Sequence, residues 1–202
     1  MPDESIMTEQ ESMTLITSMI NKAKNDFGER GLLYLIWGWV ILCCCLIHFV
    51  GLYFFNYPNI SLVWLVVYVV LIFQIIYMRK ERRIYRTKTY TGEINGFVWI
   101  TFAICMTLTI FICIIFQKYE LINPLLLVLY GMPTFLSGII IKFKPLIFGA
   151  ICCWVLAVVS PFVNVEYHLL LIAAAVIAAW IIPGYLLKQK FNKQNQYAQS
   201  IG

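Results

Sequence analysis

Charge is what this sequence has least of. No Asp, Glu, Lys or Arg occurs between residues 31 and 78, a run of 48 residues, and charged residues make up only 12% of the 202-residue chain. That is about half the share found in an ordinary soluble domain. Hydrophobic residues reach 61%. A length of this order would suit one or two soluble domains, but apolar runs of about 18 residues or more read as membrane spans.

Other absences narrow the field. No segment alternates apolar and polar residues with period two, which speaks against a transmembrane strand barrel. There is no C-x-x-C. The seven cysteines (43, 44, 45, 105, 113, 152 and 153) all lie in apolar runs without zinc-site spacing. Thiols at membrane depth build no disulfide framework, and they read as small, polarisable packing residues. His48, with Cys44 and Cys45 one turn away, and His168 are the donors an outward-facing metal site would have to use. They come from different helices with no motif spacing, so they read as interfacial histidines with solvent or backbone partners, and neither metal nor cofactor is expected. The net charge of +5 is small and confined to loops, which speaks against a nucleic-acid partner. The spans contain no ionisable Asp, Glu, Lys or Arg, which counts against a proton-driven pump, an intramembrane hydrolase and enzymatic activity generally. The first 30 residues are polar, with four acidic residues before the first lysine, and the first apolar run exceeds a signal-peptide core, so it is expected to remain as an anchor.

What is present is a series of apolar segments. Spans are expected at 32–54, 60–78, 97–116, 121–141, 145–163 and 168–187, each near the ~20 residues needed to cross a hydrocarbon core. Asn56-Tyr57-Pro58-Asn59 divides the long uncharged run into two helices. The expected fold is all-α and polytopic: six transmembrane helices in three hairpins (32–187), a cytoplasmic N-terminal segment (1–31) and a polar cytoplasmic tail (188–202). In the N-terminal segment, Thr8 and Glu11 fit a capping box. Leu15, Ile16, Met19, Ile20, Ala23 and Phe27 then recur at helical spacing opposite Glu11, Thr14, Ser18, Asn21 and Lys22. This predicts an amphipathic helix that docks on the bundle or lies among headgroups and ends at Gly28 and Gly31.

Charge also orients the chain. Of the 15 basic residues, all but Lys118 fall in the N-terminal segment, the second-to-third loop, the fourth-to-fifth turn or the tail. By the positive-inside rule both termini are cytoplasmic, in the inner (cytoplasmic) membrane, which requires an even number of spans. The densest run, 79–88, carries Arg79, Lys80, Arg82, Arg83, Arg86 and Lys88. It fixes topology and attracts anionic lipid headgroups, at roughly 1 kcal/mol per basic residue near the surface. A cytoplasmic protein partner is the other reading, and its first part is expected to extend the second helix beyond the bilayer.

In lipid, helices pack through small residues. Stripes occur at Gly31, Gly38 and Cys45; at Thr101, Cys105, Thr109 and Cys113; at Gly131, Thr134 and Gly138; at Gly149, Cys153, Ala157, Ser160 and Asn164; and at Ala174 and Ala178 beside Ala175 and Ala179. The second span has no Gly, Ala or Cys from Leu62 to Met78, so it is expected to be the most lipid-exposed or to meet another subunit.

The candidate intramembrane site is the mid-span stretch Tyr130-Gly131-Met132-Pro133-Thr134. Pro133 gives no amide to the Leu129 carbonyl, so a kink is expected. A kinked helix at mid-membrane either lines a cavity or is filled by its neighbours, the commoner outcome. Asn123, Tyr130 and Ser137 repeat every seven residues on one face and favour the cavity.

Met7-Thr8-Glu9-Gln10-Glu11-Ser12, Trp37-Gly38-Trp39, Tyr130 through Phe135 and Lys142-Phe143-Lys144-Pro145 give the chain a resemblance to a family of small, uncharacterised six-span bacterial membrane proteins. The resemblance implies no activity and points to Met7 as a start. The expectation is a non-enzymatic accessory, sensory or scaffolding membrane subunit with lipid, a cytoplasmic protein or a second copy as partner. The alternative is a small facilitator or exporter of a neutral or lipophilic solute, with its pathway at the kinked fourth span.

Overall fold

A segment in lipid must satisfy its own backbone, and a chain this apolar folds accordingly. The computed structural model describes residues 9–55, 59–84 and 90–199, and no strand occurs among them. The helices are α1 (Glu9–Tyr53), α2 (Leu65–Ile84), α3 (Tyr90–Ile115), α4 (Ile122–Ile140), α5 (Lys144–Val159), α6 (His168–Val176) and α7 (Ile182–Gln199). A 3-10 turn, Ile60–Trp64, leads into α2, and a π turn, Ile177–Ile181, joins α6 to α7. Five stretches are long and apolar enough to cross a membrane: Gly31–Tyr53, Gly92–Ile115, Tyr119–Ile140, Lys144–Phe162 and Val165–Lys190. Ile60–Ile76 is a further, shorter apolar helix outside those five.

The expected break near residue 30 is absent. α1 is one helix of 45 residues. Glycine ends a helix when it adopts a left-handed conformation, and no described glycine has positive φ. Gly31 is used instead for close approach: a Cβ there would stand 3.2 Å from the Lys188 amide nitrogen and 3.3 Å from the Gly184 oxygen on α7. Thr8, half of the expected capping box, lies outside the described residues.

Two turns show how short the connections are. α3 and α4 each close with a Schellman arrangement: the Lys118 amide donates to Cys113 O at 2.8 Å, and the Phe143 amide to Gly138 O at 2.8 Å. Gln117 (φ 55°) and Lys142 (φ 51°) take the left-handed position without being glycine. Such residues carry roughly 1–2 kcal/mol of strain each. Pro145 then opens α5, where its missing amide costs nothing.

The centre of the bundle is α1, α4, α5 and the α6–α7 path, which share a core including Ile41, Cys45, Leu127, Leu146, Cys153, Ile172 and Val176. α3 packs on α4, and α2 on α1. In the second apolar segment, no described residue from 60 to 76 is buried. The α5 stripe is buried at Gly149, Cys153, Ala157 and Ser160, whereas Asn164 is exposed. The α3 stripe does not hold: Cys113 is buried but Thr101 is exposed. Steps of four advance about 40° each around a helix, so three steps carry the stripe off the seam.

Candidate functional site

The polar groups in the apolar interior come from α4 outward. Thr134 hangs one turn below Tyr130, and its hydroxyl donates to the Tyr130 carbonyl at 2.7 Å. The same Oγ1 accepts the Trp180 indole N–H at 3.0 Å, tying α4 to the π turn. One turn further, the Ser137 hydroxyl donates to Asn95 Oδ1 at 2.6 Å, tying α4 to the start of α3. On the opposite flank, Trp154 of α5 donates to the Val128 carbonyl at 3.2 Å. A side chain at Gly131 would collide with that Trp154 ring. Donors from neighbouring helices therefore cluster on the turns that surround Pro133, where the backbone ladder has lost an amide.

Aromatic rings seal this layer. Trp180 lies 5.0 Å from Tyr130 and 5.8 Å from Trp99, centroid to centroid, and Trp99 lies 5.8 Å from Tyr34 and 5.6 Å from Phe102. At these spacings the rings touch, in the tilted and edge-on geometries that aromatic pairs prefer. Thr134 and Ser137 are fully buried, and Tyr130, Gly131 and Pro133 are buried with them. Five of the six predicted site residues thus come together, in a buried cluster held by hydrogen bonds and ring contacts.

Asn123 does not join them. It is half-buried near the far end of α4, about 10 Å along the axis from Tyr130. Of the basic run, Arg79, Lys80, Arg82 and Arg83 continue α2 as its last turns, while Arg86 and Lys88 lie outside the described residues. The residues missed from sequence are Asn95, Trp99, Trp154 and Trp180, together with Gln74, whose side-chain oxygen accepts the Trp37 indole N–H across α1 and α2. An amide or indole inside an apolar run was the available signal.

At the opposite end the histidines have protein partners. His48 Nδ1 accepts the Trp64 indole N–H at 2.9 Å. His168 Nε2 sits 2.8 Å from the Ser160 carbonyl and 3.1 Å from that of Val163, and because carbonyls only accept, Nε2 carries the proton. Among the described residues no group of three or more His, Cys, Asp and Glu is placed to hold a metal ion. All seven cysteines are free; Cys44, Cys45, Cys113 and Cys153 are buried packing residues, while Cys43 and Cys152 face outward. The arrangement is suited to fixing helix register: four helices are cross-linked through one polar–aromatic layer.

No family model, curated protein or solved structure matches this chain.

Proposed function

We propose that the chain is a six-span inner-membrane protein, with both termini cytoplasmic, that acts as a non-enzymatic accessory, sensory or scaffolding subunit. In this reading it belongs with the small six-span bacterial proteins it resembles. The observation that carries the proposal is the continuity of α1, which runs unbroken from Glu9 through the apolar stretch Gly31–Tyr53. Residues 9–30 prolong that helix by about 33 Å at 1.5 Å per residue. A helix lying flat among headgroups would need a break that α1 lacks. Helices α2 and α7 also continue past their apolar portions at the same end, through Arg83 and Lys193 respectively. Three helices thus offer a charged platform, which suits a cytoplasmic protein partner and suits no small solute.

The packed layer around Thr134 weighs in the same direction, because a facilitator needs a route past Tyr130 and Pro133. The two readings separate in one strain dependent on the protein. Affinity capture from mild detergent is expected to recover one reproducible partner with the full chain and to lose it when residues 9–24 are removed. Pro133→Ala and Tyr130→Phe are expected to leave solute uptake and efflux unchanged. Recovery of no reproducible partner, together with altered transport in either variant, would move the function to the facilitator.

A further inference from the structure

We infer that the turn between α4 and α5 binds the headgroup of one anionic phospholipid through Lys142 and Lys144; this rests on the membrane-spanning reading above. Phe143 has an extended backbone (φ −121°, ψ 96°), so its two neighbours project to the side opposite its own ring. Burial agrees with this: Phe143 is buried, whereas Lys142 and Lys144 are exposed. Residues two apart in an extended chain stand about 7 Å from each other. Two ammonium groups therefore share one side of a short turn. A third cation lies close by, since Lys190 of α7 holds its Nζ 5.7 Å from the Phe143 ring centroid.

No anion of the protein answers the pair. Among the described residues neither lysine has a hydrogen-bond or ion-pair partner. From residue 121 to 202 the sequence holds a single Asp or Glu, Glu166, at the opposite end of the bundle. Glu93, in the first turn of the α3 helix that packs on α4, is exposed and pairs with neither lysine. Lys142 also stands where glycine would fit without strain, at φ 51°. The turn thus combines backbone strain with unopposed charge, and a bound anion offsets the charge. Its level in the bundle favours a lipid over an acidic peptide. The apolar stretches Tyr119–Ile140 and Val165–Lys190 end here and Lys144–Phe162 begins here, so both lysines stand at headgroup height. Phe148, one turn beyond Lys144 on the same face, is exposed and offers an acyl chain apolar surface directly beneath the headgroup.

The test uses the full chain in mild detergent, with phosphatidylglycerol or phosphatidylcholine added at equal concentration and bound lipid counted by native mass spectrometry. The unaltered chain is expected to retain phosphatidylglycerol in preference to phosphatidylcholine. The variant K142Q/K144Q should lower that preference by roughly fivefold for each charge removed. K188Q/K193Q, which removes two exposed lysines of α7, should leave it unchanged. Lys142→Gly separates strain from charge: its thermal midpoint without lipid should rise, while the stabilisation given by phosphatidylglycerol should fall. Equal binding of the two lipids, an unchanged preference in K142Q/K144Q, or an equal loss in K188Q/K193Q overturns the lipid site alone. A glutamate-rich peptide that displaces phosphatidylglycerol from the unaltered chain and fails to bind K142Q/K144Q would give the turn to an acidic protein segment instead. A chain that alkaline carbonate washes from membranes overturns the membrane reading and the lipid site together.

Discussion

Gly149→Ala is expected to destabilise the folded chain by about 3 kcal/mol or more, the upper end of the overpacking range. The added Cβ would stand 2.5 Å from the Ala179 α-carbon and 2.7 Å from the Ala178 carbonyl oxygen. Both are backbone atoms, so no rotamer change relieves the contact; α5 and the π turn would have to separate. That crossing lies beside Cys153 and Val176, in the middle of the buried core, and a shift there exposes groups across several helices. The control is Gly96→Ala on α3, where an added Cβ meets nothing within 4 Å. Exchange of glycine for alanine inside a helix then gains up to about 1 kcal/mol from propensity alone. Thermal unfolding in detergent should therefore show a large loss for position 149 and no loss for position 96. Equal behaviour of the two would mean that α5 does not cross the π turn at this distance.

Truncation of Trp180 is the second large effect. The indole is buried against Tyr130 and Trp99, and its N–H donates to Thr134. Trp180→Ala should cost about 3–5 kcal/mol, as for other large aromatic truncations in a close-packed core. Trp180→Phe keeps most of the ring contacts and loses only the donor, so its cost should fall near the ~0.6–1.7 kcal/mol measured for hydrogen bonds between membrane helices. Thr134→Val leaves the indole N–H without an acceptor in a dry site, a cost of about 1–3 kcal/mol. The pair should be non-additive: once Trp180 is Phe, Thr134→Val should add little. Costs that simply add would remove the hydrogen bond from the account.

The pattern of agreement with the sequence has a physical cause. Stripes of small residues on α1, α4 and α5 predicted buried seams because close helix approach requires small residues and little else: Gly31, Gly38 and Cys45, Gly131, Thr134 and Gly138, and Gly149, Cys153 and Ala157 are all buried. On α3 the same rule misled, because that helix reaches α4 with large side chains, Trp99, Phe102 and Met106. Gly28 and Gly31 were read as a stop, but glycine serves both helix termination and close packing, and only tertiary contacts distinguish the two uses. Pro133 marked the polar layer correctly. Pro183, equally visible in the sixth span, went unread, although the π turn Ile177–Ile181 ends two residues before it. Asn95 and Trp180 were not legible as site residues, since their partners lie 42 and 46 positions away in the chain. Pairing over such distances depends on which helices become neighbours, and hydrophobic periodicity carries no information about that.

The central claim is a six-span bundle whose basic ends all face the cytoplasm. It is tested most directly by placing one new cysteine in each kind of loop, Asn59→Cys between the first two spans and Thr87→Cys in the basic run, and treating intact cells with a membrane-impermeant maleimide. Labelling is counted above that of the unaltered chain. The account predicts that position 59 is labelled from outside and position 87 only after the cells are opened. Labelling of position 87 in intact cells, or protection of position 59, would contradict it.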